Sequence, residues 1–127
     1  MKGYIDGIEK TTLGNSNFRK VLFTGKYLQL VVMSLKPGEE IGAEVHPNVD
    51  QFFRIEAGLA KVIIDKEVSE AGDGFAIIVP AGSEHNIINT SADKELKLYT
   101  IYSPPNHPDK TVHKTREEAV KGEEQEY

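Results

Sequence analysis

Short runs of apolar residues, spaced at a period of two and broken by turn residues, dominate the chain. Tyr27 to Leu35 (YLQLVVMSL) is rich in aromatic and β-branched residues and ends at Lys36-Pro37-Gly38, a turn triplet. Gln51 to Ala57 (QFFRIEA) stops at Gly58. In Leu59 to Asp65, Ala60, Val62 and Ile64 share one face while Lys61 and Asp65 take the other. A short strand is expected near Glu67 to Glu70, then Gly72-Asp73-Gly74, then Phe75 to Val79. Pro80-Ala81-Gly82 marks the next turn, followed by strands over His85 to Thr90 and Glu95 to Ser103. In the last of these, Leu96, Leu98 and Tyr102 should face inward and Tyr99 outward. Many short strands with turns at such intervals predict an all-β sandwich or barrel.

Helix signals are few. Thr115 with Glu118 three residues later fits a capping box, which predicts a short helix from about Glu117 to Lys121, ended at Gly122. Residues 1–17 have no convincing period. Ser103 to Thr115 holds three prolines and cannot be regular throughout. With 127 residues and no internal repeat or linker, the chain suits one domain over 1–127, with a barrel core of about 18–103 and a C-terminal extension over 104–127.

Charge changes the picture at one point. The net charge is −5, and the stretch from Arg116 to Tyr127 carries five acidic residues against two basic, so most of the acidity belongs to the tail. The tail is expected to be a solvated end. The near-neutral body lacks the basic face that nucleic acid or an anionic membrane surface requires. The absence of cysteine excludes a disulfide framework, thiol catalysis and Cys-ligated metal. The longest apolar run, Phe75 to Val79, is far short of the ~20 residues of a spanning helix, and the N-terminus lacks a signal-peptide core. A cytoplasmic location is the expectation.

Candidate chemistry is confined to four histidines, His46, His85, His107 and His113. In Glu44-Val45-His46, alternation points Glu44 and His46 to the same face. The same period puts Gln51 on the face of Phe53 and Ile55, and His85 opens the strand after the Pro-Ala-Gly turn. If these strands are neighbours, two imidazoles, a carboxylate and an amide oxygen converge into a set suited to a first-row divalent metal. By itself the pattern also suits ordinary hydrogen-bonded histidines. His107 and His113, in the Pro-rich ending, are expected to be exposed or structural, with closure over a barrel mouth as the alternative. Arg54 reads as an ion-pair partner, Tyr102 as a core-packing residue with a pocket wall as the alternative, and Asn89 as a hydrogen-bonding residue at a strand end.

The spacing of these residues resembles that of the cupins. Their first motif runs Gly, five residues, His-x-His, three or four residues, Glu, six residues, Gly; this chain has Gly38, Glu44-Val45-His46, Gln51 and Gly58 at those offsets. Their second runs Gly, five residues, Pro-x-Gly, two residues, His, three residues, Asn; Gly74, Pro80-Ala81-Gly82, His85 and Asn89 match every defined position. The resemblance covers about residues 30–103. Residues 103–115 are also similar to the ending of small single-domain cupins labelled mannose-6-phosphate isomerase-like.

The resemblance implies a double-stranded β-helix (jelly-roll) barrel with a short C-terminal helix, a small-molecule ligand, a homodimer paired through sheet edges with Tyr99 and Ile101 in its face, and one divalent ion, Mn, Fe, Ni or Zn. Carried over residue by residue, it places the metal on Glu44, His46, Gln51 and His85. The chain departs from the pattern at Glu44, where the family has His, and at Gln51, where it has Glu. Ligand charge stays at −1, now from Glu44. Asp50 is the alternative to Gln51, which fits the offset to Gly58 and the inward face. Three functions follow: a metal-dependent enzyme on a small polar molecule such as a sugar or carboxylate, a non-catalytic metal- or small-molecule-binding module, and a metal-free domain with a decayed site. The intact His46 and His85 argue against decay.

Overall fold

The computed structural model describes residues 2–126. It consists of α1 (Ile8–Gly14), β1 (Arg19–Thr24), β2 (Gln29–Leu35), β3 (Asp50–Ala57), β4 (Ala60–Ile64), β5 (Glu67–Ala71), β6 (Ala76–Val79), β7 (His85–Asn89), β8 (Leu96–Ser103), β9 (Val112–His113) and α2 (Arg116–Glu126). Strand makes up 43% and helix 12%, so the all-β expectation holds. The strands form a six-stranded sheet, β6-β3-β8-β2-β1-β9, and a three-stranded sheet, β5-β4-β7. All pairs are antiparallel.

The register sorts the inward side chains of the large sheet into rows. The first row is Val79, Gln51, Tyr102 and Gln29; the second is Ile77, Phe53, Thr100, Val31 and Val21; the third is Ile55, Leu98, Met33 and Arg19. Leu35 opposite Leu96 makes the fourth. In the small sheet His85 lies opposite Ile64 at one end, and Asn89 lies opposite Ala60 at the other. The interior is mostly apolar through its middle and lower rows, with Thr100, Arg19 and Asn89 as the polar members, and richer in polar groups at the upper end. Alternation along β3 and β8 produces this layering, because each strand exposes every second residue to the core.

Residues 38–44 run antiparallel beside β7 as an irregular extra strand. Gly38 N–H donates to Asn89 O, Ile41 N–H to Ile87 O, and Glu44 and His85 exchange both backbone hydrogen bonds at 2.9 and 3.0 Å. Gly42 interrupts the alternation with φ +106, a conformation that suits only glycine, and its N–H is taken up by Asn86 Oδ1 at 2.9 Å. The kink lets the segment follow β7 and still deliver Glu44 opposite His85.

Three elements, α1, β1 and β9, fall outside the pattern legible in the sequence. Helix α1 has two turns, no side-chain N-cap bond and Thr12 as its one buried residue. It rests on the outer face of the large sheet, against β8, β3 and β2. There Lys97 Nζ donates to Asn15 O and to Ser34 Oγ and pairs with Glu95. Strand β9 is two residues that pair with the edge of β1.

The tail is more than a solvated end. Thr115 Oγ1 accepts from Glu118 N–H as in a capping box, while Glu118 Oε2 accepts from Lys114 N–H, one residue before the N-cap. Helix α2, however, begins at Arg116 and passes through Gly122. Its Ala119 is buried in the core cluster, and Arg116 Nε donates to Glu40 O at 2.6 Å. Gly122 lies so close to β9 that a Cβ there would stand 2.6 Å from His113 Nε2. The tail departs from the solvated end that its charge predicts because Ala119 makes an apolar contact among charged neighbours.

Candidate metal centre

Two backbone connections build the upper end of the barrel. The Pro80-Ala81-Gly82 turn closes with Ser83 N–H on Pro80 O, and Gly82 N–H reaches across to His46 O at 2.9 Å. Asp50 is exposed and its Oδ1 accepts from Ala81 N–H at 2.9 Å, which anchors the same turn. Asp50 thus faces away from the core, while Gln51, 3% exposed, faces into it. Together with the Glu44–His85 backbone pair, these bonds tie the segments carrying Glu44-Val45-His46 and His85 side by side.

The side chains then meet. Glu44 Oε2 and His46 Nε2 are 2.8 Å apart. The His46 and His85 ring centroids are 5.5 Å apart, and the edge of Phe53 packs on His85 at 6.2 Å. One donor atom each from Glu44, His46 and His85 fall within 4.8 Å of one another. Val45 points outward, half exposed, as the alternation requires.

Two buried atoms beside the Glu44–His46 pair lack a partner. His85 Nδ1 lies 3.2 Å from Ser83 O, so the ring proton belongs on Nδ1 and Nε2 presents a lone pair; that Nε2 is buried and bonds to nothing. Gln51 Nε2 donates to Thr100 Oγ1 at 3.0 Å, which turns its carbonyl Oε1 the other way, buried and likewise unpartnered. Leaving a polar atom bare in a core costs ~1–3 kcal/mol. Burial lowers the His85 pKa, against the Ser83 hydrogen bond and the Glu44 charge, so the ring is neutral around pH 7. A neutral imidazole nitrogen, an amide oxygen, a carboxylate and a second imidazole are the donor chemistry of a first-row divalent ion. Donors ~2.1 Å from such an ion and at right angles to each other lie ~3 Å apart, close to the Glu44–His46 spacing. The residues present fit such an ion.

Behind these groups lies a layer of which the sequence pattern indicates Tyr102 but not its partners. The Tyr102 ring stands edge-on to His46 at 5.9 Å and to His107 at 5.1 Å. His107, expected to be exposed or structural, is 7% exposed, and its Nε2 lies 3.2 Å from the Tyr102 hydroxyl. Burial, reinforced by the positive charges of Arg19, His113 and His46, pushes its pKa down to about 3. Gln29 clamps its backbone: Oε1 accepts from Asn106 and His107 N–H, and Nε2 donates to His107 O and Thr24 Oγ1. Thr100 had a sequence signal, a polar residue on the inward period of β8; His107 had none, because its position depends on how residues 103–113 fold back. His113 is half-buried on β9, with Nδ1 3.5 Å from Arg19 Nη1. Asn89 is a strand-end hydrogen-bonding residue, as expected: Nδ2 donates to Leu35 O and Lys94 O, and Oδ1 accepts from Ser91 N–H. Arg54 pairs with Glu56 at 2.9 Å.

Comparison with known proteins places the chain. The family described as cupin domain matches residues 31–102. An uncharacterized protein of Bacillus subtilis, YrkC, is 48% identical over 129 residues, covering 97% of this chain and 69% of that protein. The crystal structure of BH2720 from Bacillus halodurans superposes with a TM-score of 0.92 at 42% identity, covering 94% of this chain and 95% of that one. Mannose-1-phosphate guanylyltransferase of Escherichia coli is 31% identical over 65 residues, 51% of this chain but 14% of that protein. Among the described residues, no helix is long and apolar enough to cross a membrane.

Proposed function

The chain belongs to the cupin domain family, and from that membership we propose that it holds one divalent ion, Mn, Fe, Ni or Zn, on Glu44, His46, Gln51 and His85, and acts as a metal-dependent enzyme on a small polar molecule such as a sugar or carboxylate. The observation that carries the reading is the pair of bare buried atoms, His85 Nε2 and Gln51 Oε1, at the end of the barrel where Glu44 and His46 meet. When bound, the ion would supply Lewis-acid polarisation of a substrate oxygen. The chain's own part is to orient: Ser83 O fixes the His85 tautomer, Thr100 aims the Gln51 carbonyl, and Tyr102 walls the site against His46. Side-chain exposures of 13% for His46 and 19% for Glu44 leave this end open to a small molecule. A sugar-type ligand is in keeping with the match to the mannose-1-phosphate guanylyltransferase.

The alternative is a binding module without turnover. It is favoured by the state of Glu44, the carboxylate placed to act as a base, which is already engaged by His46 at 2.8 Å. We further propose a single domain that works in the cytoplasm as a homodimer. Ile78, 66% exposed, continues through Phe52, Ile101 and Leu30 as one apolar row across the outer face of the large sheet, which supports pairing there. Light scattering at micromolar concentration should give twice the monomer mass; a monomer would end the dimer proposal. Elemental analysis of untagged protein, dialysed after exposure to Mn, Fe, Ni and Zn, should give one ion per chain in the wild type and none in His46→Ala or His85→Ala. Equal metal content in all three would mean that the ion sits elsewhere. A wild type that takes up none of the four would remove the metal enzyme.

A further inference from the structure

Glu44 reaches His85 through one extra residue. Glu40 bridges Ile88 on β7, and unbroken pairing from there would set Ala43 opposite His85. The pair that forms is Glu44 with His85, so residues 41–43 face only Asn86 and Ile87. Such a bulge re-aims the side chains that follow it. Ile41 is buried, Ala43 is exposed, and Glu44 instead takes the place beside His46. The position of one proposed ligand therefore depends on the bulge.

Three contacts hold it. Gly42 supplies φ +106, and its N–H donates to Asn86 Oδ1 at 2.9 Å. The third contact comes from α2. Bonds from Asn89 N–H to Glu39 O and from Ile41 N–H to Ile87 O flank Glu40, so in an antiparallel pair the Glu40 carbonyl points away from β7. Arg116 Nε donates to that carbonyl at 2.6 Å, and its Nη2 would stand 3.2 Å from a Cβ on Gly42. The half-buried guanidinium thus lies across residues 40–42, on the side of the segment opposite β7. Around it the junction is open, with a groove of about 680 Å³ between Gly38–Glu40 and Val120–Lys121. A charge-assisted hydrogen bond, rather than close packing, ties α2 to the segment there.

We propose that Arg116 is a positioning residue for the metal centre: from α2 it fixes the Gly42 bulge and so sets Glu44 beside His46 and His85. The proposal rests on the metal reading for its effect on the ion, and on the hydrogen-bond geometry alone for its hold on residues 40–44. Without the bond, the arrangement that presents Glu44 is one of several open to the segment, and apparent metal affinity falls with the fraction of time it is populated. Population of about a tenth means a loss of about tenfold.

The test uses the full-length chain and Mn alone, with unbound Mn counted by its paramagnetic resonance signal. Arg116→Ala should bind Mn about tenfold more weakly than the wild type and change the spectrum of the bound ion. Arg116→Lys, which keeps a charged donor, should recover part of the affinity. Lys121→Ala, which removes an exposed pair with Glu117 on the same helix, should match the wild type. In a Glu44→Ala background, Arg116→Ala should change affinity less than about twofold, because the group it positions is gone. Equal Mn affinity in wild type and Arg116→Ala overturns the proposal. So does the same loss in Lys121→Ala, or the full loss in the Glu44→Ala background, since either marks a general loosening of the tail. Hydrogen exchange of the metal-free protein reads the hold without any ion: Gly42 and Glu44 N–H should exchange at least about tenfold faster in Arg116→Ala, with the amides of β2 and β8 unchanged. Unchanged exchange at Gly42 and Glu44 also overturns it. A wild type that takes up no Mn would count against the metal reading instead, and faster exchange would then still support the hold of Arg116 on residues 40–44.

Discussion

The two ends of the barrel bury polar groups to opposite purposes. At the lower end Asn89 is 1% exposed, and both amide hydrogens and its oxygen are engaged, closing the β7–β8 connection over Leu35 and Leu96. At the upper end Gln51, His85 and His107 are equally well buried, and each holds one atom that bonds to nothing. A completed set of hydrogen bonds repays desolvation and serves the fold; a bare atom is a standing cost that a ligand can relieve. The lower end thus serves the fold, and the upper end carries the bare atoms on which the proposed ion would bind.

Truncation should separate the two ends most sharply. Leu98→Ala, in the fully buried third row, is expected to cost ~2–5 kcal/mol of stability by urea denaturation of metal-free protein. Its metal stoichiometry, measured below the unfolding midpoint, should be unchanged. His85→Ala should do the reverse, with complete loss of bound metal and stability within about 1 kcal/mol of the wild type. Comparable stability losses in both would erase the distinction.

Amides sharpen the same contrast. Asn89→Ala strands two carbonyls and an N–H and should cost ~2–3 kcal/mol, whereas Gln51→Ala gives up one bond to Thr100 and should cost about 1 kcal/mol. In metal titrations Gln51→Glu should bind more tightly than the wild type, because ligand charge rises from −1 to −2. Gln51→Ala should weaken binding less than loss of either histidine, since water can replace a neutral oxygen donor.

Acid should act on the upper end. The folded-state pKa of His107 is pushed down to about 3 by burial, then by neighbouring positive charge, while the unfolded chain keeps ~6.5. Above pH ~6.5 the ring is neutral in both states and its contribution is fully present. As pH falls toward 3, the unfolded chain takes up a proton that the folded ring excludes, so stability declines. His85 adds to this in the same direction. Between pH 7 and 5 the metal-free wild type should lose more stability by urea denaturation than His107→Phe; equal losses would mean that His107 is not held neutral.

The smallest effect belongs to the tail. Deletion from Glu117 onward removes Ala119 from the core and should lower stability by about 1 kcal/mol, seen as a melting temperature a few degrees lower. An unchanged melting temperature would return the tail to a solvated end.

Much of this was legible along the chain. Apolar runs bounded by turn residues located β2 through β8 within one or two residues, and alternation shows in β3, β4, β7 and β8, which divide a drier face from a wetter one. The same period paired Glu44 with His46 and turned Gln51 inward, as the structure has them, whereas Asp50, kept as the alternative to Gln51, faces outward. Helix α1 was not legible, since a two-turn helix with one buried residue has no period to read. Strand β9 is too short to carry one, and α2 hides its buried Ala119 among charges.

By itself, then, the sequence determined the strand order in the chain, the inward face of each strand, and the residue types that could meet at one end. These follow from local rules, because which side of a strand a residue occupies depends only on its neighbours in the chain. Only the tertiary structure decided which inward polar residues are satisfied and which are bare. Asn89 and Gln51 are both inward amides, but one closes three bonds and the other leaves its carbonyl open. His107 reaches the interior because Gln29, 78 residues away along the chain, clamps its backbone. Hydrogen-bond completion is a property of neighbours in space, and no pattern along the chain records it.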